Sequence, residues 1–133
     1  MMTGRDGPVL AALVAVGAGA VFGAWLRWGL AYWLNPKLEH LPLGTLTANL
    51  VGGYLIGVAV AVFAIHPALT PFWRLLVVTG FLGGLTTFST FSAENVALLA
   101  SGAWGAAFLH AGLHLAGSLL ATAMGIASVR AFT

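Results

Sequence analysis

The chain has 133 residues and a formal net charge of +2 at pH 7; hydrophobic residues make up 60% of it and charged residues only 6%. A soluble domain of this size needs a polar surface, and five basic and three acidic residues cannot cover one. Soluble globular, disordered and nucleic-acid-binding proteins are therefore excluded, and the absence of cysteine excludes a disulfide framework. The class that remains is an integral membrane protein.

Four charge-free stretches are long enough to cross a bilayer, which takes about 20 apolar residues each. They predict an all-α protein with helices over residues 9–33, 43–65, 72–100 and 103–130, in a single membrane domain spanning 1–133. Asn35-Pro36-Lys37 ends the first helix, because proline disfavours helix in the residue before it. We expect the first segment to be a retained helix, since it lacks the strongly basic leader of a signal peptide.

The charges leave the orientation of these spans nearly undecided. With four spans, both termini and the middle loop share one side, which carries Arg5, Arg74 and Arg130. The opposite side carries Lys37 and, at its edge, Arg27. This weak bias fits either one orientation with uninformative short loops or a dual topology, in which copies insert both ways and pair antiparallel.

Small residues recur four apart in three spans, and this spacing predicts close helix packing and oligomerisation. The pairs are Gly19 and Gly23, Gly53 and Gly57, and Gly80 and Gly84. Arg27 lies among Trp25, Trp28, Tyr32 and Trp33. It is either an anchor at the membrane interface or a vestibule charge that attracts anions.

The third span contains residues that weaken a helix. Gly83-Gly84 and Thr86-Thr87 predict a break, whose freed backbone groups survive only inside protein or along a cavity. Freed carbonyls at this depth favour a cation site, although a kink without a ligand is the alternative. Hydroxyl residues follow, interleaved with Phe88 and Phe91, which share a helix face. Their positive ring edges suit an anion, but such a pair is also ordinary in a packed core.

Other polar residues are isolated. We expect Asn49 to be the only Asn or Gln deep in a span, either bonding across helices or lining a water-filled path. Glu94 ends the third span, where it is either buried and proton-coupled or solvated. His110 and His114 lie four apart, but no third metal ligand is evident, so polar residues on a helix face are favoured. No catalytic triad or phosphate loop is present, and we predict that the chain is not an enzyme.

Three segments resemble the CrcB/Fluc family of fluoride channels. They are Gly23-Ala24-Trp25-Leu26-Arg27, the segment 44–52 that contains Asn49, and the segment 80–92 that contains Phe88 and Phe91. The resemblance implies an antiparallel, dual-topology homodimer with two fluoride pores, four helices per subunit and a broken third helix. It also implies passive fluoride export across the inner (plasma) membrane.

The resemblance further assigns roles by position. Asn49, Phe88 and Phe91 resemble the pore residues, Thr90 and Ser118 the hydroxyls along the pathway, and Glu94 the glutamate that ends this stretch. Backbone carbonyls of Gly83 and Thr86 resemble those that hold a structural sodium ion at the dimer interface. Arg27 matches the arginine of the first helix, with its role left open.

The fourth helix departs from the family, because His110 and His114 stand where hydroxyl residues are usual. Histidine titrates near neutrality, so the departure suggests pH-sensitive conduction. The alternative function is a proton-coupled small multidrug exporter, which needs a buried carboxylate in its first helix. Residues 9–33 contain none. A purely structural subunit would leave the hydroxyl and phenylalanine run unexplained.

Overall fold

The computed structural model describes residues 6–133. Within that range, four helical stretches are long and apolar enough to cross a membrane, as the sequence predicts. The helices are α1 (Asp6–Leu34), α2 (Leu43–Ile65), α3 (residues 71–85), α4 (Phe88–Ala100) and α5 (Trp104–Ala131). Together α3 and α4 form the third stretch. The protein is a multi-pass, all-helical membrane protein.

A short 3₁₀ turn, Asn35–Lys37, connects α1 to the loop before α2. The Asn35 Oδ1 atom accepts hydrogen bonds from the backbone amides of Gly44 at 2.8 Å and Thr45 at 3.2 Å. These amides belong to the first turn of α2, which has no helical acceptors for them. The residue that directly follows α1 therefore also caps α2.

The third stretch changes its helical geometry along its length. Residues Pro71–Arg74 are α-helical, Leu75–Leu82 form wide π-helical turns, and Gly83–Leu85 return to α geometry. Thr86 and Thr87 have extended backbones, with φ/ψ of −85°/154° and −152°/123°. The α4 helix then begins at Phe88. The sequence did not predict these π-helical turns.

Glycines set the closest approaches between helices. A Cβ atom at Gly19 would lie 3.0 Å from the Cα of Gly80, and one at Gly84 would lie 3.1 Å from the Cα of Ala20. A Cβ atom at Gly53 would lie 3.1 Å from the Ser118 carbonyl. The predicted close packing is confirmed: α1 lies on α3, and α2 lies on α5.

Candidate functional site

A groove of about 480 Å³ lies where α2, the α3–α4 junction and α5 meet. The predicted site residues that line it are Asn49, Gly83, Thr86, Phe88, Phe91 and Ser118. Thr90, Glu94 and Arg27 are not among its lining residues. The fold thus brings six of the sequence-selected positions together from three helical stretches.

Asn49 of α2 is bonded to the backbone of the extended segment. Its Oδ1 atom accepts from the Thr87 amide at 2.8 Å, and its Nδ2 atom donates to the Thr87 carbonyl at 2.9 Å. Because the Thr87 amide can only donate a hydrogen bond and the Thr87 carbonyl can only accept one, this pairing fixes which way the Asn49 side-chain amide points. The second Nδ2 hydrogen faces His114 Nδ1, 3.0 Å away.

The extended segment diverts amides from the carbonyls that they would bond in a continuous helix. In such a helix the Thr87 amide would donate to Gly83, and the Thr90 amide to Thr86. Instead the Thr87 amide donates to Asn49, and the Thr90 amide donates to the Thr87 hydroxyl at 3.1 Å. The Gly83 and Thr86 carbonyls are therefore released from these helical bonds.

Arg27 bonds to a third carbonyl at the same junction. Its Nε atom donates to the Gly84 carbonyl at 3.0 Å, and its side chain is half-buried. The neighbouring Trp25, Trp28 and Trp33 are exposed, as expected for residues at the membrane interface. Arg27 thus joins α1 to the end of α3, a contact that the sequence did not indicate.

The two phenylalanines have different surroundings. Their ring centroids are 5.4 Å apart, as the shared face predicts. Phe88 is 71% exposed, whereas Phe91 is 7% exposed. Phe91 packs against the imidazoles of His110 and His114, with centroid distances of 5.1 and 4.7 Å. Phe91 is therefore buried among residues of the described part of the chain, whereas most of the Phe88 ring is exposed.

Glu94 lies in a hydrogen-bonded cluster and not in solvent. Its Oε1 accepts from the Thr45 hydroxyl at 2.6 Å, and its Oε2 lies 3.2 Å from His110 Nε2. Its side chain is 16% exposed, and Thr45 and His110 are buried. The interpretation of Glu94 as a solvated helix-end residue is wrong, because both carboxylate oxygens have partners inside the bundle.

Asn95 corrects a second expectation. It lies within the third span, so Asn49, in the second span, is not the only amide side chain within the spans. Asn95 Nδ2 donates to the Ala107 carbonyl at 2.8 Å and lies 3.1 Å from His110 Nδ1. The sequence did not predict this contact with α5, because Asn95 lies near the end of a predicted helix and beside a glutamate.

Three side chains could present ligand atoms to a metal ion. Those of Glu94, His110 and His114 lie within 4.8 Å of one another. Glu94 is thus a third candidate ligand, which was not evident in the sequence because it lies 16 residues from His110. Whether the imidazole nitrogens have free lone pairs for a metal ion depends on Asn49 and Asn95, whose side-chain amides face the two rings.

The hydroxyl residues serve different purposes. Thr90 bonds to the Thr87 hydroxyl at 3.1 Å, at the N-terminus of α4. The Thr86 hydroxyl bonds back to the Leu82 carbonyl at 2.9 Å. Ser118 lines the groove from α5. Part of the hydroxyl run therefore satisfies local backbone, the common role of such residues in membrane helices.

Comparison with known proteins gives consistent matches over nearly the whole chain. The family model described as "CrcB-like protein, Camphor Resistance (CrcB)" matches residues 14–126. A protein of Cupriavidus metallidurans named "Fluoride-specific ion channel FluC" is 63% identical over 118 residues, which is 89% of this chain and 94% of the relative. Proteins with the same name from Thiobacillus denitrificans and Pseudomonas putida are 57% and 56% identical, over 91% and 90% of this chain and 98% and 94% of the relatives.

Proposed function

Since the chain belongs to the CrcB family, we propose that it is a fluoride-selective channel and not an enzyme. Fluoride would leave the cell passively through the groove, which would lower its cellular concentration and toxicity. The observation that carries this proposal is the Asn49 amide, fixed by the Thr87 backbone at the groove wall. A multi-pass helical protein of this kind would act in the inner (plasma) membrane.

Neutral donors suit a small, strongly hydrated anion. An ion that leaves water needs replacement donors, but a fixed cation would bind it too tightly for conduction. Ser118 offers an O–H group at the groove, and Phe91 offers a ring beside His114. Both hydrogens of the Asn49 amide face protein acceptors, so Asn49 shapes the groove wall by holding Thr87 and His114. Thr90 and Glu94 would act at the edge of this pathway, close to Thr87 and His110.

The pathway would be completed by a second copy of the chain. Phe88 is a large groove residue that is 71% exposed, and Gly83, which also lines the groove, is exposed too. We propose an antiparallel homodimer of dual topology, which the small charge bias between the two sides would permit. The third helix, broken at Thr86 and Thr87, would lie at the dimer interface.

A structural sodium ion would fit the junction between α3 and α4. The Gly83 and Thr86 carbonyls are released from helical bonds by Asn49 and Thr87, and oxygen atoms of this kind are suitable ligands for a hard cation. The ion would offset the partial negative charges of these carbonyls at the interface between the two subunits. This chain's residues would contribute the carbonyls, while the fluoride pathway would run through side-chain donors.

A liposome assay tests the proposed function. Purified protein in potassium fluoride-loaded liposomes should release fluoride only when valinomycin allows potassium to follow, because the flux is electrogenic. Phe88→Ile and Phe91→Ile should abolish this release. Proton-driven flux of an organic cation without fluoride release would instead support a small multidrug exporter.

The dual topology has its own test, since the natural sequence contains no cysteine. Ser101→Cys places one thiol in the exposed loop between α4 and α5. An impermeant maleimide should label about half of the copies in intact cells and the rest after permeabilisation. Labelling of all copies from one side would contradict the antiparallel dimer.

A further inference from the structure

We infer that Asn49 and Asn95 fix His114 and His110 as neutral Nε2–H tautomers, and that the His114 Nε2–H is a donor to the permeating anion. The inference rests on the proposed fluoride channel for its ligand. The tautomers themselves follow from hydrogen bonds and can be measured without transport. Asn95 is then a positioning residue, and His114 a binding residue that contacts the ion.

The tautomer of His114 follows from Asn49. Because Thr87 fixes the orientation of the Asn49 amide, the atom that faces His114 Nδ1 at 3.0 Å is the NH₂ group. An NH₂ group only donates, so Nδ1 must accept and cannot carry a proton. In a neutral imidazole the proton then lies on Nε2.

Asn95 acts on His110 in the same way. The Ala107 carbonyl, 2.8 Å away, requires the Asn95 NH₂ group on its side. The other NH₂ hydrogen faces His110 Nδ1 at 3.1 Å, which again makes Nδ1 an acceptor. His110 therefore carries its proton on Nε2 and donates it to Glu94 Oε2 at 3.2 Å.

The two histidines differ in what receives this proton. His110 has Glu94, whereas His114 Nε2 is buried without a hydrogen-bond partner among the residues that the structure describes. His114 is 3% exposed and lines the groove. A buried N–H group without an acceptor is costly, and a fluoride ion in the groove would supply one.

The same tautomers argue against the two other roles for this cluster. A metal ion needs imidazole nitrogens with free lone pairs, but both Nδ1 atoms face an NH₂ group and both Nε2 atoms carry protons. Protonation of either ring would place an N–H group on Nδ1 against an NH₂ group. We therefore expect fluoride flux to vary less than about twofold between pH 5.5 and 8.

Nitrogen NMR of the full-length protein, labelled with ¹⁵N-histidine in detergent micelles, tests the tautomers directly. Protonated and bare imidazole nitrogens have well-separated resonances, and His40→Gln and His66→Gln remove the two loop signals for assignment. We expect protonated Nε2 and bare Nδ1 in both His110 and His114. Protonated Nδ1 in either ring, or perturbation of both by micromolar zinc chloride, would overturn the inference.

The role of Asn95 has a separate signature. Asn95→Asp replaces the donor at His110 Nδ1 with an acceptor, so the variant should show a protonated Nδ1 in His110 while His114 is unchanged. Flux through this variant should become pH-dependent. Asn95→Leu removes the amide without adding charge and should give mixed tautomers of His110. Unchanged His110 signals in both variants would show that Asn95 does not set the tautomer.

Anion donation by His114 is tested by titration and by transport. Sodium fluoride should shift the His114 Nε2 resonance, while sodium gluconate should not. His114→Leu should reduce fluoride flux about tenfold to a hundredfold, whereas His114→Gln, which retains an N–H donor, should stay within about threefold of the natural protein. Equal losses in both variants, or no response to fluoride, would remove His114 from the pathway. Correct tautomers in a protein that conducts no fluoride would overturn the proposed function and leave the tautomers standing.

Discussion

Arg27 of α1 donates from Nε to the carbonyl of Gly84, 3.0 Å away, at the point where α3 ends. The Gly84 carbonyl would bond the Phe88 amide in a continuous helix. Because the chain is extended at Thr86 and Thr87, the Arg27 guanidinium donates to this carbonyl in place of the Phe88 amide. The arginine therefore stabilises the junction on which the groove is built.

Replacing Arg27 should destabilise the protein through this contact. We expect Arg27→Met to lower the free energy of unfolding by about 1.5–3 kcal/mol, the range for hydrogen bonds to charged groups. Arg27→Lys should rescue little of it, since the ammonium group does not reproduce the position of Nε. Thermal unfolding in detergent measures the effect, with Lys37→Met as a control that also removes one cation. Full rescue by lysine would show that charge alone matters.

Substitutions of the two phenylalanines should both abolish fluoride flux but differ in their effect on stability. Phe91→Ile removes the ring packed on His110 and His114, so we expect loss of flux and a destabilisation of about 0.5–3 kcal/mol. Phe88→Ile should abolish flux with little effect on the unfolding of a single subunit, because Phe88 is exposed. Phe108→Ile, at a position that is also 71% exposed, is the control and should change neither. Normal flux in Phe88→Ile would remove Phe88 from the pathway.

The sequence predicted the helical stretches because their signal is local. Charge-free runs and turn residues define each span, and α2 begins and ends where the sequence places it, at Leu43 and Ile65. Glycine spacing likewise predicted close helix packing, which the structure shows between α1 and α3. These features need no information about which helices are neighbours.

The hydrogen-bonded cluster could not be predicted in the same way. Glu94 and His110 are 16 residues apart, and Thr45 and Glu94 are 49 apart. Whether Glu94 is solvated or bonded depends on how α4 lies against α2 and α5, which no local pattern specifies. Asn95 was missed for the same reason, since its partners lie on the next helix.

Asn49 should be needed for both structure and flux. Asn49→Leu leaves the amide and the carbonyl of Thr87 without partners, each costing about 1–3 kcal/mol if it remains buried. We expect fluoride flux to be lost and the unfolding temperature in detergent to fall. Thr47→Val, two residues away on α2, is a control in which the new side chain has nearly the same shape as the one it replaces. A stable Asn49→Leu protein with normal flux would contradict both roles of the amide.

Glycine positions should differ sharply in their tolerance of a methyl group. A Cβ atom at Gly23 would overlap the Phe81 carbonyl and the Leu85 amide, whereas one at Gly17 meets nothing within 4 Å. Alanine in place of glycine favours a helix by about 1 kcal/mol, so Gly17→Ala should be neutral or stabilising. Gly23→Ala should destabilise by about 1–3 kcal/mol, because α1 and α3 must separate. Thermal unfolding of the two variants in the same detergent checks this, and equal stability would mean that α1 does not approach α3 at Gly23 in the membrane protein.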